Sequence, residues 1–66
     1  MKTEITAYIT KDSYDTIELW KNMPSRTNEG IFKGVSNDPG SEIYGNLIPK
    51  EWFKDKDRIR IKISKV

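Results

Sequence analysis

The sequence predicts a small, mainly β domain: a bent antiparallel sheet or open barrel of four to five short strands, with one short helical turn near residues 49–54. Three observations predict it. Nine of the 23 hydrophobic residues are Ile, and β-branched side chains fit a pleated surface better than a helix. Residues 4–10 and 58–65 alternate apolar and polar with a period of two, the pattern of a half-buried strand. Pro, Gly, Asn and Asp recur in short clusters between the apolar stretches, where they favour turns. The alternative fold is an α+β roll with a longer helix around residue 52.

The elements follow in order. Ile5, Ala7 and Ile9 share one face of the first strand, and Glu4, Thr6, Tyr8 and Thr10 share the other. KDSYDT at 11–16 carries two Asp and one Ser, which bond their own backbone in turns. IELWKNM at 17–23 is the second strand, with Ile17, Leu19 and Met23 on one side and Glu18, Trp20 and Asn22 on the other. These two strands form a hairpin. Pro24 ends it, because proline cannot donate to a ladder. PSRTNEG at 24–30 reads as a polar loop, and IFKGVS at 31–36 as a third strand. NDPG at 37–40 is a turn with Gly40 where positive φ is needed. A short fourth strand lies around Ile43 and Tyr44, followed by a turn at Gly45 and Asn46. Pro49 suits the first position of a helix, and the brief helix or 3-10 segment after it brings Trp52 or Phe53 onto the core. The last strand runs from Arg58 to Lys65 and buries Ile59, Ile61 and Ile63.

Sixty-six residues make a single small domain, 1–66. A chain this short buries only about 60% of the surface its unfolded form exposes. It has no Cys and no His, so disulfides and thiolate or imidazole metal sites are excluded. No cofactor and no metal are expected. The lack of Cys suits a reducing compartment. No apolar run has the length of a signal peptide or of a membrane helix. A soluble cytoplasmic protein with no membrane partner is the expectation.

Catalysis finds little support. General acid–base work near neutral pH most often uses His, and the five Ser residues lack such a partner. The four Gly residues form no phosphate-cradling pattern. The Asp12–Asp15 pair, and Asn37, Asp38 and Glu42, are explained by turn chemistry. The chain is expected not to be an enzyme.

The charge is more informative. The net charge is +2. Residues 1–48 hold five Lys/Arg against seven acids, −2, whereas residues 49–66 hold seven against three, +4. If odd-numbered residues point inward in the first, second and last strands, the other face gathers Tyr8, Trp20, Arg58, Arg60 and Lys62, with Thr6 and Glu18. These five are the candidate binding residues. Aromatics interleaved with cations suit a protein contact, which is rich in Trp, Tyr and Arg. They also suit single-stranded nucleic acid, whose bases stack on rings and whose phosphates meet cations. A structural reading stands beside both. Arg58, Arg60 and Lys62 solvate an edge strand, Trp20 fills a second small core, and Tyr8 packs across the strands.

YITKD at 8–12, IELWKNMPSR at 17–26, GIFKG at 30–34 and LIPKEWF at 47–53 together resemble small uncharacterised accessory proteins of phages and prophages. The likeness rests on hairpin punctuation over about half the chain. It implies a phage or mobile-element accessory role and carries no active-site residue over. The leading expectation is a non-enzymatic binding module that contacts a host or phage protein. The alternatives are a nucleic-acid-binding module using the basic last strand and a structural or assembly subunit pairing one sheet edge in a homodimer.

Overall fold

The structure is a computed structural model and describes residues 3–35, 37–44 and 47–65. It is mainly β, as the sequence predicts. The elements are β1 (Glu4–Lys11), β2 (Ile17–Trp20), β3 (Ser25–Arg26), β4 (Phe32–Lys33), β5 (Ser41–Glu42), a 3-10 turn (Lys50–Phe53) and β6 (Arg58–Ser64). Four strands form one antiparallel sheet in the order β5-β2-β1-β6, and β3 and β4 form a separate two-stranded ladder. The sheet is open. The only helical segment among the described residues is the 3-10 turn, so the α+β roll is set aside. No helix among them is long and apolar enough to cross a membrane.

β1 and β2 make the predicted hairpin. Its turn is built by Asp12, whose Oδ1 accepts from the backbone N–H of Tyr14 at 2.8 Å and of Thr16 at 3.0 Å. β2 is shorter than predicted. It ends at Trp20 because the chain then bends away, and the Asn22 N–H donates to Asp38 Oδ2 at 2.8 Å instead of to a ladder. Met23, expected inside, is exposed.

The polar loop expected at 24–30 holds a strand, β3, and the third strand expected at 31–36 shrinks to β4. The two form a hairpin closed by Thr27 N–H to Ile31 C=O at 2.8 Å, with Gly30 at φ 80°. The expected fourth strand is displaced from Ile43 and Tyr44 to Ser41 and Glu42. Ile43 still donates its N–H to Ile17 C=O at 2.8 Å, whereas Tyr44 is exposed. The turn expected at Gly45 and Asn46 lies outside the described residues. Pro49 caps the 3-10 turn from outside, with φ −62° and ψ 132°, rather than occupying its first position.

The sheet is covered on both sides. On the odd-numbered face, Ile9, Ile17 and Phe53 form the main core, with Leu19, Ile43, Ile48, Ile59 and Ile61 against it. Ile5 and Ile63, expected inside, are exposed beyond the end of that cover. On the even-numbered face, Thr10, Trp20 and Phe32 are buried, and Gly34 and Gly40 lie against the Trp20 ring. The two aromatics of the 3-10 turn divide sharply: Phe53 is 3% exposed and Trp52 is 51% exposed.

This division gives a test. Phe53→Ala empties the main core, a loss of about 3–5 kcal/mol, which abolishes cooperative urea unfolding in so small a domain. Trp52→Ala is expected to shift stability by less than about 0.5 kcal/mol.

Candidate binding face

The register of β1 with its two neighbours fixes which side chains stand together. Tyr8 lies opposite Trp20 on one side and Arg60 on the other. Thr10 lies between Glu18 and Arg58, and Thr6 lies opposite Lys62. Tyr8, Trp20, Arg58, Arg60 and Lys62 therefore project from one face, with Thr6 and Glu18 among them. They are not equally available.

Trp20 is 3% exposed. Its Nε1–H donates to Thr10 Oγ1 at 2.9 Å, which satisfies both buried polar groups. Its six-membered ring packs against Gly34 and Gly40. A Cβ on Gly40 would stand 2.8 Å from Trp20 Cζ3 and Cη2, and Gly40 has φ 71°, so glycine is needed there twice over. Trp20 is thus the centre of a second small core and offers no open ring face.

Arg58 is also engaged. Its Nε lies 3.3 Å from Asp57 Oδ1, and its Nη1 donates to Pro24 C=O at 3.5 Å. Arg26 reaches the same carboxylate from the other side, with Nη1 2.7 Å from Asp57 Oδ2, while its Nη2 donates to Ser13 Oγ at 3.0 Å. The two guanidinium groups lie 6.0 Å (Arg26) and 5.7 Å (Arg58) from the Phe32 ring centroid, within cation–π range. Burial pushes the Asp57 carboxyl up, but the Arg26 hydrogen bond and the charges of Arg58 and Arg26 outweigh it and hold the group below its ordinary value. This clamp ties residues 24–32 to the start of β6. No period or motif links Arg26 to Asp57 in the sequence, so it was not legible there.

What remains open is the other end of the face. Tyr8 is half-buried, and Arg60 and Lys62 are exposed. Lys62 Nζ lies 3.7 Å from Glu4 Oε1, with both side chains more than half exposed, a pair worth little. Arg60 has no ion pair or side-chain hydrogen bond among the described residues. Acids collect at the far side of the sheet, where Glu18 stands opposite Glu42. Burial, then the charges of Asp12 and Glu42, raise the Glu18 carboxyl above its ordinary value.

The backbone of β6 completes the geometry. Lys65 N–H donates to Thr3 C=O at 3.1 Å, and Lys11 N–H to Asp57 C=O at 3.0 Å. The β1–β6 ladder therefore runs through the odd-numbered residues of β6. The N–H and C=O of Arg58, Arg60, Lys62 and Ser64 turn outward. β1 is the one strand paired with β6, and no backbone hydrogen bond to that outer edge occurs among the described residues.

Asp57 and Glu18 predict opposite pH effects. The depressed value of Asp57 contributes stability above its unfolded value of about 3.9, lost as pH falls through the folded value. Asp57→Asn should cost about 1 kcal/mol at pH 7, allowing for solvent exposure, and its deficit should close as the wild type is acidified. The raised value of Glu18 works the other way: its ionised form opposes folding, and the penalty fades as pH falls through that raised value. Glu18→Gln should raise Tm at pH 7 by about 2–4 °C. Thermal melts of the three proteins from pH 7 to pH 3 check both signs.

Comparison with family models, with curated proteins and with solved structures finds no match to this chain.

Proposed function

We propose that this chain is a non-enzymatic binding module that contacts another protein through the outer side of β6 and the adjoining surface of Tyr8, Arg60 and Lys62. The observation that carries this reading is the outer edge of β6, seven residues long, unpaired among the described residues and bordered by its own cations. Unpaired main-chain donors and acceptors in a row are matched best by another polypeptide backbone. Tyr and Arg beside them are the side chains that protein contacts favour. An accessory role of phage or prophage type, exercised on a host or phage protein in the cytoplasm, suits a small domain without cysteine.

The basic row supports nucleic acid as a second reading. That reading loses ground on two counts: the stacking surface is reduced to the half-buried Tyr8, and Arg58 is already held by Asp57.

The test pairs two measurements on the tagged chain. A stoichiometric protein captured from a bacterial lysate is expected to be lost when Arg60→Glu replaces the wild type. Oligonucleotides at low salt are expected not to bind. Capture that ignores Arg60→Glu, or recovery of no stoichiometric partner, overturns the proposal. Oligonucleotide affinity falling steeply with salt would transfer the face to the nucleic-acid reading.

A further inference from the structure

We infer that the partner segment is an extended strand alternating acidic and apolar residues, added to the outer edge of β6; this rests on the reading of the chain as a protein-binding module. The side-chain pattern of the edge dictates that composition. Arg58, Arg60 and Lys62 stand on one face of β6, and Ile59, Ile61 and Ile63 on the other. A strand hydrogen-bonded to the outward N–H and C=O groups sets its own residues beside each in turn. Side chains directly across a pair of strands interact, with opposite charges favourable and like charges unfavourable. Carboxylates therefore belong beside Arg60 and Lys62, and β-branched apolar residues beside the isoleucines. Ile63 is 42% exposed and gains cover from such a neighbour.

The same rule disfavours a second copy of this chain as the occupant. The outward groups belong to even-numbered residues, so an antiparallel β6–β6 pair sets even against even. Every such register that overlaps most of the strand places Arg60 or Lys62 against a cation of the other copy. Charged edges of this kind are a known device against self-pairing. The cations thus repel the chain's own edge while attracting an acidic one.

Of the three β6 cations, Arg60 is the one with no ion pair among the described residues. Lys62 exchanges a weak exposed contact with Glu4 for a new one, and Arg58 stays with Asp57. Discrimination should therefore centre on Arg60.

The test uses the isotope-labelled full chain and a short blocked peptide alternating Glu and Val. Amide exchange should slow at Arg60, Lys62 and Ser64, whose N–H groups face outward. It should not change at Ile59, Ile61 and Ile63, which already face β1. Arg60→Glu should weaken binding about tenfold, as reversal of one cross-strand pair with its flanking contact implies. The same substitution should create affinity for a Lys/Val peptide, which the wild type rejects. Shifts spread over the face without the even–odd pattern mean charge adsorption and overturn strand addition, as does absence of binding at low ionic strength. If the peptide fails while Arg60→Glu still abolishes capture of a protein partner, strand addition alone is wrong. If capture ignores Arg60→Glu, the binding face itself is wrong.

Discussion

Ile9 and Thr10 are neighbours in β1, both 0% exposed, and they point to opposite faces of one sheet. The rest of the architecture answers that demand. A central strand buried on both faces needs a covering layer on each, and the chain has few residues to make two. The 3-10 turn supplies one cover by inserting Phe53 against Ile9 and Ile17. Gly34 and Gly40 supply part of the other by lying against the Trp20 ring. Thr10 is the costlier of the two, because a buried hydroxyl without a partner is unfavourable. Its partner is the indole N–H of Trp20, which explains why the tryptophan faces inward.

On the even-numbered face, Glu4, Thr6, Arg60 and Lys62 are exposed and Tyr8 is half-buried. The division of charge follows the sheet order. Acids lie on β2 and β5 and cations on β6, so the sheet has a negative and a positive border. Arg58 is exposed, yet the Asp57 clamp holds it beside Arg26.

The sequence made the long alternating strands legible. Residues 4–10 and 58–65 show period two over enough positions for the pattern to be distinct, and both match their strands to within one residue. The even-numbered face followed directly, because alternation fixes the side of each residue once the strands pair. The two-residue strands were not legible. Ser25–Arg26, Phe32–Lys33 and Ser41–Glu42 are too short to have a period and exist because a partner lies alongside. For the same reason the sequence could not decide whether Trp20 was platform or core. The answer lies in Gly34 and Gly40, distant in sequence, which let the backbone approach its ring.

The pairing of Glu4 with Ser64, at opposite ends of the described chain, has a consequence for how the domain comes into being. β1 is synthesised before β6, the strand with which it makes its longest ladder. Contacts so distant in sequence slow folding, because the loop must close before they form. On the ribosome, β1 and β2 can pair early, but Ile5, Ala7 and Ile9 lack the isoleucines of β6 until the final strand has left the exit tunnel. The nascent hairpin must therefore remain soluble with one apolar face uncovered. The β1–β6 ladder can form only after both strands have been made.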